Sequence, residues 1–427
     1  MKNAYPQLVL SLFLPTSLLA VACSPDGSTA TEEATTAVAA AAVSVMPEAA
    51  LTAAAVTEAP TGFDNLTNGV LSQTDFDAAK DVFEEVEAIA DGLGPVYNAQ
   101  SCRECHQNPV TGAASQISEF RAGHFDGVNF IDHPGGSLIN DRAIAATIQE
   151  RIAAGQEVRT FRLSLSLMGD GFVEAIDSAT LQNIANAQPS GQRGQLISVP
   201  VLEASGATRT GRFGWKNQQA SLKSFAADAY VNEMGITSPL QPTENTSVGN
   251  SVAAFDTVAD PEDTTGADIT FFTNFMRSLK APPTDTVAAG TTSAQHGSQL
   301  FDSLGCAVCH VRTINTAPTG TLINGNTFTV PAALGDKAIH PFSDFLLHNV
   351  GTGDGIVQNG GQSTRNKVRT APLWGIRMRD RLMHDGATVS RGDAILRHGG
   401  EASGASSGFA GLSTQSQLDV INFLNTL

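Results

Sequence analysis

Cys102-Arg103-Glu104-Cys105-His106 and Cys306-Ala307-Val308-Cys309-His310 are two copies of one five-residue pattern, Cys-x-x-Cys-His. Two thiols three residues apart can add to the two vinyl groups of one porphyrin, and the adjacent His can turn back to ligate its iron. A single Cys-x-x-Cys also reads as half a zinc site or as a disulfide. The repeated trailing His favours covalent c-type haem at both places, with Cys102, Cys105, Cys306 and Cys309 as attachment points and His106 and His310 as proximal ligands. A chain built around two porphyrins is committed to redox chemistry.

The chain has five Cys, and four of them lie in these motifs. The fifth is Cys23. It follows Lys2 and an interrupted apolar run, Leu8 to Leu14 and Leu18 to Ala22, too short to span a membrane as a stable helix. Residues 1–22 read as a signal peptide. Leu18-Leu19-Ala20-Val21-Ala22-Cys23 resembles the bacterial lipoprotein cleavage signal, which makes Cys23 the acylated first residue of the mature chain; ordinary cleavage after Ala22 is the other reading. Either way export to the periplasm is expected, and lipidation would tie the protein to a membrane, the outer membrane in the favoured reading. Residues 23–60 are Ala, Thr, Ser, Glu and Val with little that can bury apolar surface, the composition of a flexible tether.

The net charge of −17 argues against nucleic acid, whose phosphates would repel it. It suits a small basic electron-carrier protein, of cytochrome or cupredoxin type, steered in by the field. The chain after the tether is too long for one small core and suits two domains with one haem each, residues 61–285 and 290–427.

Apolar residues at Ala79, Val82, Phe83, Val86 and Ala90 predict a helix over 75–91, closed by Gly92, that leads into the first motif. Gly297-Ser298-Gln299-Leu300-Phe301 leads into the second in the same way and resembles the first helix of class I cytochrome c domains. Asn274-Phe275-Met276-Arg277-Ser278-Leu279 is echoed by Asn422-Phe423-Leu424-Asn425-Thr426-Leu427, so each domain should end in a helix packed back over its haem. Pro282-Pro283 opens the linker. An insertion at about 112–205 alternates locally, as in Val158 to Leu167, and predicts a few short strands. Asn324-Gly325 predicts a hairpin within Gly320 to Val330. The expected fold is mainly α: two c-type cytochrome domains with long loops, and a few short strands in the insertion.

Further motifs resemble the bacterial di-haem cytochrome c peroxidases, and more closely their longer branch, the di-haem oxidoreductases also called thiol oxidoreductases. These are Gly92-Leu93-Gly94-Pro95-Val96-Tyr97-Asn98, Gly211-Arg212-Phe213-Gly214-Trp215-Lys216, Glu233-Met234-Gly235-Ile236-Thr237-Ser238-Pro239, Pro341 to His348, and His384-Asp385-Gly386 through His398-Gly399-Gly400-Glu401-Ala402. The resemblance spans about residues 62–427. It implies a peroxidase-like oxidoreductase acting on hydrogen peroxide or another small oxidant, in which electrons enter at the C-terminal haem and cross to the N-terminal haem. By the same resemblance Trp215 is the relay between haems, and Glu233, eighteen residues later, is the distal acid–base group. The residue-level alternatives are a core Trp and a helix-surface Glu. Two departures stand out: Phe225 replaces a Gln common in the family, and the insertion lengthens the interval from motif to Trp.

The family's sixth ligand to the C-terminal haem falls fourteen residues after a His-x-Gly, as a Met. The same count from His384 reaches His398. Imidazole in place of thioether should lower that haem's potential; Met378, Met383, His340 and His348 are the alternatives. His124 stands about where the peroxidases carry a removable distal His for haem 1, and a surface-loop His is the equal alternative. Thr370-Ala371-Pro372 matches the segment that holds calcium in those proteins, which makes Thr370 and Pro372 calcium candidates. A non-catalytic electron-transfer lipoprotein with both irons six-coordinate is the rival reading.

Overall fold

Each haem motif is reached by a helix whose buried face follows the 3.6-residue spacing of its large residues. The computed structural model describes residues 55–427; the signal peptide, Cys23 and most of the tether lie outside the described residues. Helix α1 (Gln73–Glu84) is capped by Ser72, whose hydroxyl accepts from the Asp75 amide, and buries Phe76, Ala79 and Phe83. It ends earlier than the predicted 91. Glu84, Glu85 and Glu87 would crowd three carboxylates onto the negative end of the helix dipole. The chain instead passes through a 3-10 turn, Ile89–Asp91, stopped by Gly92 at φ 107°.

Helices α2 (Leu222–Ala229), α3 (Ala267–Ser278), α4 (Thr292–Ser303) and α5 (Thr414–Leu424) complete the frame. The echoed segments are the paired helices the repeat predicts. In the first pair α1 packs on α3, with the Phe83 ring 4.7 Å and the Phe76 ring 5.2 Å from Phe275. In the second, α4 packs on α5 with Phe301 5.3 Å from Phe423. Gly297 permits that approach, since a Cβ there would run into the Asp419 carbonyl.

The larger core joins α1, α2 and α3 to Ile314, Leu334, Ile339, Phe345 and Trp374, and a smaller one gathers Phe301, Phe342, Phe409, Val420 and Phe423. The expected boundary near 285–290 therefore separates the two helix pairs, while the larger core draws on both sides of it. The insertion forms a sheet in which β1 (Ser118–Phe125) pairs antiparallel with β2 (Phe130–Asp132), β3 (Leu138–Ile139) and β4 (Val158–Leu163). The hairpin through Asn324-Gly325 joins Leu322–Ile323 to Phe328–Thr329. The fold is mixed rather than mainly α: among the described residues eleven α-helices stand among fifteen strands, most of two or three residues. Long loops satisfy their backbone groups in short ladders, a requirement that hydrophobic periodicity does not reveal.

Candidate functional site

The two motifs have nearly the same proximal geometry. The His106 Nδ1–H donates to the Ala113 carbonyl at 3.2 Å, and the His310 Nδ1–H donates to the Phe342 carbonyl at 2.9 Å. Phe83 lies 6.3 Å from the His106 ring at 53°, and Phe301 lies 6.3 Å from the His310 ring at 54°. Burial pulls both imidazoles down to about 4, with His398 adding to the effect at His310. Both are therefore neutral at neutral pH and keep an Nε2 lone pair for a metal. All four motif Cys are free thiols.

The second motif opens into a largely apolar cleft with about 1380 Å³ of non-atom space, part of it open to solvent, lined among others by Trp215, Cys306, Cys309, His310, Arg369 and His398. His398 donates its Nδ1–H to the Ala394 carbonyl at 2.8 Å, so its Nε2 is free too. The His310 and His398 ring centres are 6.4 Å apart. Two imidazoles that each bind one metal at about 2 Å put their ring centres roughly 6 Å apart. The other histidines near this motif have both ring nitrogens engaged: His340 with Thr313 and Glu58, His348 with Asp344 and Glu401, and His384 with the Phe161 and Thr352 carbonyls. Met378 is exposed, and Met383 lines the cleft.

This cleft fits a haem in charge as well as shape. Arg369 and Arg391 line it with buried Nε atoms that have no partner. Burial lowers Arg369 and Arg379 to about 10, and for Arg379 the neighbouring Arg369 adds repulsion. Two propionates would supply the missing anions.

The surroundings of the first motif are of another kind. Cys102, His106, Glu119 and Glu233 are each partly exposed. Glu233 lies in a π-helical turn, Tyr230–Met234, directly after α2; such turns are rare and recur at functional sites. Gly235 ends the turn at φ 70°, where a Cβ would meet the Gly94 and Val96 carbonyls at 2.8 Å. The segment before the first motif docks there, with the Asn98 and Ala99 amides donating to the Glu233 carbonyl and Asn98 Nδ2 donating to Glu233 Oε2 at 2.9 Å. Burial first, and then the charge of Glu119, push Glu233 up to about 8. Arg121 grips Glu119 at 2.6 and 2.9 Å, and Arg162 stands 3.6 Å away; against the cost of burial they hold Glu119 below its usual range.

Glu119, Arg121 and Asn98 were not singled out from sequence. The signal available for the first two was an acid and a base two apart on one strand, hence on one face. That alternation turns His124 to the opposite face of β1, where it is half-exposed and pairs with Glu157 at 2.8 Å. The structure does not bring His124 to Glu233. Trp215 is buried, lines the second cleft and donates to the Leu163 carbonyl at 2.8 Å. Phe225 stacks on Phe213 at 6.2 Å. Thr370 and Pro372 line the second cleft, and the Thr370 carbonyl accepts from Ser343 Oγ at 2.6 Å.

A family model described as "Di-haem oxidoreductase, putative peroxidase" matches residues 133–427, which hold the second motif, Trp215, Glu233 and His398. Among solved structures the chain is similar to Kuenenia stuttgartiensis hydrazine synthase pressurized with 20 bar xenon, with 13% identity over 87% of this chain and 90% of that one and a TM-score of 0.41. It is also similar to a MauG-like protein associated with microbial copper homeostasis, with 15% identity over 88% and 93% of the two chains and a TM-score of 0.39. No curated protein matches.

Proposed function

The chain belongs to the di-haem oxidoreductase family, and from that premise we propose that it is an exported c-type peroxidase-like enzyme whose first haem site is the reaction site and whose second is the electron relay. The observation that carries this division is the pair of imidazoles 6.4 Å apart at the second motif, against a carboxylic acid, Glu233, bound to Asn98 just before the first. Haem held by Cys102, Cys105 and His106, and by Cys306, Cys309, His310 and His398, would supply one-electron chemistry and, where an iron face is open, peroxide cleavage. Glu233 holds a proton close to neutral pH and can hand it to a departing oxygen. Trp215, which lines the second cleft and donates to the Leu163 carbonyl, is the proposed relay between the sites. Arg369 and Arg391 would hold the propionates at the second.

An electron paramagnetic resonance spectrum of the ferric protein tests the division. A high-spin signal from one haem beside a low-spin signal from the other is expected. Two low-spin signals would leave an electron-transfer protein with no reaction site. Export and lipidation belong to the same proposal: Cys23→Ser should release the protein from membranes, and unchanged association would remove the anchor. A basic carrier of cytochrome or cupredoxin type is the proposed electron donor, on the strength of the net charge of −17.

A further inference from the structure

Two of the motifs read from the sequence, Pro341 to His348 and His398 to Ala402, meet at a buried ion cluster beside the second cleft. His348 is 1% exposed and lines that cleft. Its Nε2 lies 2.8 Å from Asp344 Oδ2, and its Nδ1 lies 2.7 Å from Glu401 Oε2. The remaining carboxylate oxygens also face donors. Asp344 Oδ1 accepts from the Leu346 amide at 2.9 Å, and Glu401 Oε1 accepts from the Asn349 amide at 3.0 Å. Gln188 Nε2 gives Asp344 Oδ2 a second donor at 2.6 Å. A proton between an imidazole and a carboxyl rests on the imidazole, the stronger base. His348 therefore carries a hydrogen on each nitrogen and sits as an imidazolium between two anions.

The cluster links the two imidazoles of the second site through one short stretch of chain. Phe342, whose carbonyl takes the His310 Nδ1–H at 2.9 Å, is two residues before Asp344. Glu401 is three residues after His398. Around it the backbone docks on the continuation of the Phe342 segment: the Gly399 amide donates to the Val350 carbonyl at 2.8 Å and the Glu401 amide to the Asn349 carbonyl at 2.9 Å. Gly400 turns between them at φ 51°, where a Cβ would run into the Asn349 carbonyl. Gln188 also donates to the Val308 carbonyl inside the second motif at 2.9 Å. Cys309 Sγ, the thioether sulfur once haem is attached, lies 3.8 Å from His348 Nδ1.

We propose that His348 and Glu401 form a clamp that positions His398 across from His310: the imidazolium ties the loop that follows one imidazole to the segment that seats the other. Both are positioning residues, since neither is a ligand. The proposal rests on the reading of His398 as the sixth ligand of the second haem, and adds what keeps it there. With His398 approached from the short helix Arg391–Leu396 on one side, the clamp closes the loop on the other.

Carbon monoxide binding to the reduced, haem-loaded protein tests the clamp without peroxide. A haem with two protein ligands binds carbon monoxide only after one of them leaves. The second haem should therefore bind in a slow phase set by release of His398, and His398→Ala should make that phase fast. Glu401→Ala removes a hydrogen bond between charged groups, so it should speed the slow phase by roughly 10- to 100-fold and leave the phase of the first haem where it is. Glu401→Gln keeps the size and one acceptor but not the charge. Its acceleration should be smaller, about threefold or more, and it gives the answer if Glu401→Ala does not load haem. A slow phase that His398→Ala abolishes but both Glu401 variants leave at the wild-type rate overturns the clamp and keeps His398 as the ligand. Equal acceleration of both phases is a general loosening and overturns the clamp as well. A slow phase missing from wild type, or untouched by His398→Ala, removes His398 from the ligand set and the clamp with it.

Discussion

On the proximal side the two haem motifs superpose in their chemistry: a Phe 6.3 Å from the His ring, an Nδ1–H given to a backbone carbonyl, and a second Phe from the closing helix behind the first. On the distal side they share nothing. The second motif has His398, its ring centre 6.4 Å from that of His310, whereas the segment leading to the first is bound through Asn98 to Glu233 in a π turn. A repeat can thus preserve how a cofactor is held while what stands across from the metal is exchanged. The proximal side is fixed by contacts within one helix pair, and the distal side is recruited from whatever packs over it.

The largest test of this contrast is Glu233→Gln, which keeps size and hydrogen bonding but removes the transferable proton. Peroxide reduction should fall by roughly 10²- to 10⁴-fold, while both haems load and the low-spin spectrum of the second is unmoved. Equal activity in the variant would erase the distinction between the sites.

Next in size is the buried triad that stands behind both sites, Arg162, Asp354 and Lys216. Burial opposes the Asp354 charge, but Arg162 and Lys216 outweigh it and hold the carboxyl down to about 2. A folded value below the unfolded 3.8 means the stabilisation is complete above about pH 4 and is lost as pH falls through about 2. Asp354→Asn strands two buried cations and should cost about 3–5 kcal/mol at neutral pH. Thermal unfolding of variant and wild type across pH should show the gap closing toward pH 2; a gap independent of pH would mean the triad is not ionised.

His398→Met sharpens the contrast from the other side. Thioether favours ferrous iron relative to imidazole, so the midpoint of the second haem should rise and that of the first should stay where it is. A redox titration in which neither moves would remove His398 from the ligand set. The smallest effect is expected of Trp215→Phe, which keeps an aromatic ring but loses the indole and its bond to Leu163. Stopped-flow absorbance should show slower re-reduction of the first haem by the second, with its oxidation by peroxide unchanged. A rate equal to wild type would place the route elsewhere.

The sequence by itself determined what is local. Cys-x-x-Cys-His is legible within five residues, and the helix before the first motif was read from Ala79, Val82 and Phe83, while Val86 and Ala90, read on the same face, lie beyond its end and are exposed. The echo of Asn274–Leu279 in Asn422–Leu427 named the helices that close over them. His398 was singled out by the count that the family resemblance supplies, and its ring centre lies 6.4 Å from that of His310. Tertiary structure decided what surrounds Glu233, a residue the family resemblance had named but whose neighbours no local pattern gives. Only the pleat of β1, which turns Glu119 and Arg121 one way and His124 the other, and the π turn held by Asn98 and Gly235, fix those surroundings. Burial then does what no local sequence can: it raises the Glu233 carboxyl above the ordinary carboxylate range.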